Sequence, residues 1–242
     1  VLTAYLFTTF SPVRLRIAGI LAVTRQSIAR FVRVSIPAAV EPLVLQSGFL
    51  FYNKAIAGLG VTAMAAHRAA ITVESLAFMP GWGLAVAGSA IVGQYLGARR
   101  ADRAEAGLRE ATRLAVLLMS AVGLAFLLFS EPLVRIFLKG DGAEPAVQAA
   151  ALCLMICAFE QPFMALAMSL AGGLRGAGDT RSPVLVAVIG VWGVRVPLAW
   201  ALAFPAGLGL TGIWITMIAD WAVRSALFAV ILRRGRWKNL KL

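Results

Sequence analysis

Four acidic side chains lie inside long apolar stretches of the sequence, where an ionised group is costly to bury: Glu41, Glu74, Glu160 and Asp220. Placing such a group at the centre of a membrane costs about 2.5–3.5 kcal/mol on insertion scales, so each one suggests a partner or a function. Carboxylate oxygens coordinate hard cations and also accept protons. These residues therefore predict cation binding at membrane depth.

Glu41 and Glu160 are the preferred candidates for cation coupling, because each has a proline close by. Pro42 follows Glu41 directly, and Pro162 lies two residues after Glu160. A proline inside a helix frees the carbonyl oxygen four residues earlier, and a bound cation can use that oxygen. We expect the two acids to bind a sodium ion or a proton. The alternative, in which each acid simply hydrogen-bonds a neighbouring helix, stays open.

Arg195, Asp220 and Arg224 predict an ion pair or triad within the membrane. Arg195 lies about 13 residues and Asp220 about 12 residues from the same end of their apolar stretches, so both are roughly 18–20 Å deep. Arg224 follows Asp220 at helical i,i+4 spacing. A structural role is favoured over a transport role, since removing Asp220 would leave a buried arginine unpaired.

Several further polar, aromatic and sulphur side chains are candidates for gating or substrate contact: Glu74, Gln46, Tyr52, Met79, Trp82 and Phe163. Aromatic faces attract organic cations through cation–π interactions. Glu74 has an alternative role as an ion-pair partner of Arg68 or Lys54. His67 lies near a predicted helix end beside Arg68, where an interfacial position is expected.

The sequence predicts no enzyme, no catalytic residues, no metal site and no cofactor. An intramembrane enzyme needs a nucleophile, an acid–base pair or a metal cluster that converge on one site. Cys153 and Cys157 have i,i+4 spacing within one apolar stretch. That pattern is typical of small apolar core residues rather than of a disulfide or a metal motif.

The composition indicates the element type that positions these residues. Hydrophobic residues make up 60% of the 242 residues and charged ones 14%, whereas soluble domains average roughly 45–50% and about 25%. Apolar stretches of about twenty residues recur, each long enough to cross a bilayer as a helix. The sequence predicts an all-α, polytopic transmembrane bundle, with residues 1–33 as the end of a preceding helix and a cytoplasmic linker. A six-helix bundle follows in 34–242, with spans near 34–58, 62–96, 113–138, 146–173, 183–205 and 208–232.

The net charge of +12 does not indicate nucleic-acid binding. Most cations fall in four clusters, within 14–33, 99–113, 175–181 and 233–241. Basic loops remain in the cytoplasm, so these clusters and the C-terminus are expected on the cytoplasmic face of a bacterial inner membrane. The segment 99–113 predicts a short, separate amphipathic helix on that surface.

The stretch GGLRGAGDTRSP, residues 172–183, is rich in glycine. A nucleotide-binding P-loop needs a lysine and a preceding strand, and both are missing from this pattern. The stretch therefore predicts a helical hairpin in which Gly176 and Gly178 end one helix and Ser182 caps the next. Arg175 is expected at the lipid headgroups.

Five segments, taken together, resemble the multidrug and toxic compound extrusion (MATE) transporters: LGVTAMAAHRAA (59–70), FMPGWGLAVAGSAIVGQYLGARR (78–100), GGLRGAGDTRSP (172–183), WGVRVPLAW (192–200) and LGLTGIWITMIADWAVRS (208–225). They occur in the family's order over roughly residues 35–238. The resemblance implies the second half of a twelve-helix fold, with an absent N-terminal six-helix bundle as its partner. It also implies antiport of an organic, often cationic, compound against sodium ions or protons, by alternating access between two bundles. Family members carry acids in the two helices that hold Glu41 and Glu160.

Two alternatives remain at this stage. One is a lipid-linked saccharide flippase of similar architecture, and the other is an inactive half-transporter fragment. The expected partners are the lipid bilayer and a small organic substrate, without nucleic acid. Substrate identity, the choice between sodium ion and proton, and the oligomeric state are not determined by the sequence.

Overall fold

A computed structural model describes residues 24–140 and 142–239 of the chain. The described part contains six long helices and a short 3₁₀ helix, Arg236–Asn239, and no strand. The long helices are α1 Arg25–Ala57, α2 Val61–Gly97, α3 Ala101–Arg135, α4 Glu144–Gly176, α5 Arg181–Ala203 and α6 Gly209–Arg233. The predicted all-α transmembrane bundle is confirmed. The N-terminal stub and the first part of the predicted linker, residues 1–23, lie outside the described residues.

Five of these helices, α2 to α6, are long and apolar enough to cross a membrane. Helix α1 is not among them, although it is 33 residues long and contains Pro37 and Pro42. It begins at Arg25, earlier than the predicted start at residue 34. The six long helices of the described residues therefore correspond to the six expected spans. Five of them are long and apolar enough to cross a membrane.

The prediction of a separate surface helix in 99–113 is wrong. Helix α3 begins at Ala101 and continues through the apolar stretch to Arg135, with a kink at Phe129, so the amphipathic segment forms its first turns. The segment is rich in alanine, arginine, glutamate and leucine, which are good helix formers, and it contains no proline that would end the helix. Once a helix has begun, each further residue adds a backbone hydrogen bond at little cost, so the helix continues into the apolar stretch.

Helix α4 forms the centre of the bundle, packed against α2, α3 and α6. Two glycines make the crossing with α2 possible. A Cβ atom at Gly172 would overlap the carbonyl oxygen of Ala85, and one at Gly176 would overlap that of Ser89. Small residues permit such close backbone approach in membranes, where van der Waals packing holds helices together.

The end of the bundle that bears residues 99–113, 175–181 and 233–238 is called the basic end below. Its core contains Leu108, Leu174, Phe228 and the buried Trp237. The indole Nε1 of Trp237 donates a hydrogen bond to the Leu232 carbonyl at 3.0 Å. The 3₁₀ helix is thereby fixed against the membrane-crossing helices.

The hairpin predicted for 172–183 is present, but its capping residue differs. Helix α4 ends at Gly176, and Gly178 adopts a left-handed conformation with φ +83°. The carboxylate of Asp179 accepts hydrogen bonds from the backbone N–H groups of Arg181 at 3.2 Å and Ser182 at 2.9 Å. Ser182 is therefore inside α5 instead of capping it, because the aspartate already satisfies the first free N–H groups.

Candidate functional site

Asp220 is fully buried between two arginines. Its Oδ2 lies 2.6 Å from Nε of Arg195, and its Oδ1 lies 2.5 Å from Nε of Arg224. Nη2 of Arg224 also donates to Oδ2 at 2.8 Å. The structure thus brings together the three residues that the sequence predicts as an ion pair or triad, and we call them the Asp220 triad.

Local backbone structure makes this triad possible. Asp220 and Arg224 lie one turn apart on α6, whereas Arg195 comes from α5 at the end of a π-helical segment, Ile189–Arg195. Such wide turns are rare and often occur at functional sites. Gly190, in the same segment, faces the triad, and a Cβ atom there would overlap Oδ1 of Asp220 and the side chain of Arg224. The missing side chain leaves the space that the ion pair occupies.

A second cluster of buried acids lies where α2 faces α4. Ligand atoms of Glu74, Cys157 and Glu160 all lie within 4.8 Å of one another. We call Glu74 and Glu160 the carboxylate pair. Glu160 is fully buried and Glu74 is 8% exposed. Within the described residues, neither oxygen of Glu160 has a hydrogen-bond partner, and the same is true of Oε2 of Glu74.

The expected pairing of Glu74 with Arg68 or Lys54 is wrong. Both cations are exposed, whereas Glu74 points between the helices toward Glu160. Lys54 and Arg68 lie on the outside of the bundle, so neither can reach the buried Glu74. Helix α4 passes beside Glu74 and supplies Glu160 as its neighbour. Cys153 and Cys157 are buried free thiols of the apolar core, as predicted, and Sγ of Cys157 also accepts a hydrogen bond from the Gln161 amide at 3.1 Å.

Within the described residues, Arg195 forms an ion pair with Asp220 alone, but its charge also reaches the carboxylate pair. Its charge acts on Asp220, Glu74 and Glu160, and its guanidinium lies 5.9 Å from the ring of Tyr52. Although Nε is close to Asp220, its N–H is not aligned with an acceptor, and Nη2 also lacks one within the described part of the chain. Arg195 is therefore held by charge rather than by well-aligned hydrogen bonds.

The charges of this cluster do not balance. The triad and the carboxylate pair together contain three carboxylates and two guanidinium groups, which leaves one negative charge if every group is ionised. An uncompensated charge is very costly in a buried site, and two carboxylates this close rarely ionise together. One bound monovalent cation, or one proton, would neutralise the cluster.

A cavity of about 400 Å³, called the central cavity, opens beside the triad. Glu41, Gln46, Phe49, Trp82, Arg175, Arg195, Trp221 and Arg224 are among its lining residues. Nη2 of Arg175 lies 2.5 Å from Oε1 of Glu41, and its guanidinium is 6.0 Å from the ring of Trp82. The expected headgroup position of Arg175 is therefore wrong, because the side chain reaches inward to the acid on α1.

The predicted coupling acids occupy different places. Glu41 lines the central cavity with an arginine partner, whereas Glu160 lies in the carboxylate pair without one. The structure does not join them in one cluster. Glu74, considered in the sequence as a gate, is instead the acid that meets Glu160.

Only some of the residues predicted to contact substrate or form a gate line the central cavity. Gln46 and Trp82 line the central cavity, but Met79 and Phe163 are exposed and lie outside its lining. Tyr52 is buried, with its ring centroid 5.7 Å from that of His67. His67 itself is 2% exposed and packs against Trp214 on α6, so its predicted interfacial position is wrong.

Sequence reasoning missed Trp221. Its ring lies 4.9 Å from the guanidinium of Arg224 and 5.9 Å from that of Arg195, so it covers the cavity side of the triad. The signal available was its position directly after Asp220 and three residues before Arg224, which places an aromatic face beside the two charges.

A family model and several relatives of similar sequence all point to one protein family. The family model described as MatE matches residues 37–201. Over 207 residues the chain is 35% identical to the probable multidrug resistance protein NorM of Thermotoga maritima, covering 86% of this chain and 44% of that protein. Over 195 residues it is 36% identical to the multidrug resistance protein NorM of Burkholderia vietnamiensis, covering 80% and 42%.

Solved structures share the fold. A MATE structure in complex with MaL6 superimposes with a TM-score of 0.89 at 18% identity, covering 99% of this chain and 54% of that one. A MOP superfamily transporter from Pyrococcus furiosus gives a TM-score of 0.89 at 19% identity, covering 99% and 54%. The chain spans about half the length of the curated relatives and of the structures it matches.

Proposed function

Since this chain belongs to the MATE family, we propose that it forms the carboxy-terminal half of a multidrug efflux transporter. Its relatives in two bacteria bear the name multidrug resistance protein, and each is about twice as long as the matched segment. The partner is a further six-helix bundle, and the substrate crosses between the two bundles as they rock. The chain is an integral membrane protein of a bacterial inner membrane, with its basic end in the cytoplasm in agreement with the positive-inside rule.

The observation that carries this function is the unbalanced buried charge. Glu74 and Glu160 come from two different helices, and within the described residues both oxygens of Glu160 and Oε2 of Glu74 lack a hydrogen-bond donor. A buried carboxylate pair that lacks one positive charge binds one coupling ion, either a sodium ion or a proton. The ion is therefore transported by the site and is not a resident cofactor.

Arg195 transmits the state of the carboxylate pair to the central cavity. With the coupling ion bound, the pair carries less negative charge and Arg195 stays with Asp220. When the ion leaves, the pair attracts the guanidinium more strongly, because Coulomb energy between buried charges is poorly screened. Arg195 also lines the central cavity, so a shift of its side chain changes the shape and charge that a substrate meets.

The central cavity suits flat organic cations. Phe49, Trp82 and Trp221 supply aromatic faces, and Glu41 supplies a negative charge. In the absence of substrate, the carboxylate of Glu41 forms an ion pair with Arg175. A cationic substrate competes with Arg175 for Glu41, which gives Glu41 a role in substrate binding rather than in ion coupling.

The flippase alternative is not favoured. A pyrophosphate-linked substrate calls for unpaired cations around the cavity. Here the lining arginines have acidic partners: Arg175 pairs with Glu41, and Arg195 and Arg224 pair with Asp220. The named relatives are also multidrug resistance proteins.

Efflux of a fluorescent organic cation tests the proposed function. The protein, with any sequence that flanks residues 1–242, is reconstituted in liposomes under separate sodium and proton gradients. Glu74→Gln and Glu160→Gln are expected to reduce gradient-driven efflux at least tenfold, because each removes one ion-binding carboxylate. Glu131→Gln is the matched control, since Glu131 is an exposed acid that pairs with Arg135.

Wild-type efflux in both carboxylate-pair variants, at normal protein levels, would show that the coupling ion binds elsewhere. Efflux driven by one gradient alone identifies the ion. Substrate movement without either gradient would contradict an antiporter.

A further inference from the structure

A second, larger cavity lies away from the central cavity, at the basic end of the bundle. It measures about 630 Å³ and lies between α3, α4, α6 and the 3₁₀ helix. We call it the basic groove. Its apolar lining comprises Leu108, Val116, Leu117, Leu170, Leu232 and Trp237. Its volume falls in the range of small-ligand sites, about 300–1,000 Å³.

Three exposed arginines line the same groove: Arg109 and Arg113 on α3 and Arg233 at the end of α6. No ion pair of Arg233 is found in 24–140 or 142–239. Nζ of Lys238 lies 2.5 Å from Oε2 of Glu105, whereas Nη2 of Arg109 is 3.4 Å from Oε1 of the same acid. Glu105 is therefore engaged mainly by the lysine, and Arg109 is only loosely paired.

The charge around the basic groove is positive. Its lining contains three arginines and one acid, Glu105, which leaves a surplus of two positive charges. The two charged residues that pair with this lining from outside, Lys238 with Glu105 and Glu110 with Arg113, cancel each other and leave the surplus unchanged. This surplus matches the one or two negative charges of a phosphate-bearing group.

We propose that the basic groove binds an anionic phospholipid from the leaflet at the basic end. The phosphate lies between the guanidinium groups of Arg109, Arg113 and Arg233, and an acyl chain follows the apolar wall toward Leu117. Basic pockets between membrane helices recognise anionic headgroups, and each cation near the surface contributes about 1 kcal/mol. The lipid holds the ends of α3 and α6 together.

The position of the groove favours a lipid over a soluble anion or a protein. Its walls belong to helices that cross the membrane, and Leu117, one of its lining residues, is 69% exposed on the outside of α3. The cations lie at one end and the leucines continue along the helices, which is the order of head and tail in one leaflet. A free phosphate would use only the first part of this surface.

The test uses the complete protein in detergent, stripped of lipid and titrated with phosphatidylglycerol, phosphatidylcholine or inorganic phosphate. Bound lipid is counted by native mass spectrometry, and thermal stability is followed in parallel. Phosphatidylglycerol is expected to bind at one site and to raise the melting temperature. The triple variant Arg109→Gln, Arg113→Gln, Arg233→Gln should weaken it about a hundredfold, at roughly fivefold for each cation removed.

Matched control variants distinguish binding in the basic groove from non-specific attraction to a positively charged surface. Arg100→Gln, Arg103→Gln and Arg234→Gln remove three exposed cations of the same end that do not line the groove, and they should leave the affinity within about twofold. Leu117→Trp should obstruct the apolar wall and weaken binding, whereas Leu114→Trp, exposed on the same helix and outside the groove, should not.

Four results would overturn the proposal: no binding of phosphatidylglycerol by the complete protein, equal binding of phosphatidylcholine, equal stabilisation by inorganic phosphate alone, or an unchanged affinity in the triple variant. None of these outcomes bears on efflux, because the groove shares no lining residue with the central cavity.

Discussion

Replacement of Asp220 by asparagine tests whether the triad holds α5 and α6 together. The side chain is fully buried and engages the guanidinium groups of Arg224 and Arg195, whose side chains are 7% and 15% exposed. Breaking a buried pair by removing one partner costs about 3–5 kcal/mol, because the other charge stays desolvated. Asp220→Asn should therefore lower the folding equilibrium constant by a hundredfold or more.

The measurement is unfolding in mixed detergent micelles with increasing dodecyl sulfate, followed by tryptophan fluorescence. Glu131→Gln is the control, because its exposed pair with Arg135 should contribute less than about 1 kcal/mol. An Asp220→Asn protein that unfolds within about 1 kcal/mol of the wild type would refute the reasoning.

A double variant distinguishes lost charge from lost shape. Asp220→Met combined with Arg224→Met removes acid and base together, and apolar side chains of similar size often replace a buried pair without loss. It should be more stable than Asp220→Asn. Arg195 keeps Glu74 and Glu160 as neighbouring charges in this variant. A double variant less stable than the single one would show that the ion pair itself, rather than unpaired charge, controls stability.

Two other changes follow from close contacts. Gly172→Val should lower the free energy of unfolding by about 1–3 kcal/mol in the same assay, because its Cβ would overlap the carbonyl oxygen of Ala85. Gly97→Val is the control, since a Cβ atom there meets open space. Equal effects of the two substitutions would contradict the close helix crossing. Arg175→Gln should increase the affinity for a fluorescent organic cation several-fold, measured by fluorescence anisotropy, because Glu41 loses its internal partner. Weaker binding would instead assign Arg175 to substrate contact.

The elements of the fold could be predicted from sequence because their signals are local. Apolar stretches of sufficient length indicate spans, and Gly176 and Gly178 mark the end of α4 where the structure ends it. The i,i+4 relation of Asp220 and Arg224 is equally local, since any helix brings those positions to one face. The exception in 99–113 arose because an amphipathic pattern does not by itself say where a helix stops.

The candidate site depends on distant residues, and there the sequence was a weaker guide. The nearby proline and the apolar residues around Glu160 single it out in the sequence, but its neighbour Glu74 lies on another helix. The position of Arg175 near a helix end predicts a headgroup site, whereas its partner Glu41 is 134 residues away. The distance of His67 from a helix end predicts an interfacial site, whereas α6 covers it through Trp214.

The sequence by itself determined that this protein is a bundle of membrane-crossing helices, which side chains carry charge at depth, and which family it resembles. Hydropathy and helical periodicity act over a few turns, so one chain segment contains enough information. The tertiary structure alone decided which acids face each other and which arginine is shared between them. Such partners depend on the faces that helices turn toward one another, and glycines such as Gly172 and Gly190 set those faces by allowing a neighbour to approach where any side chain would prevent it.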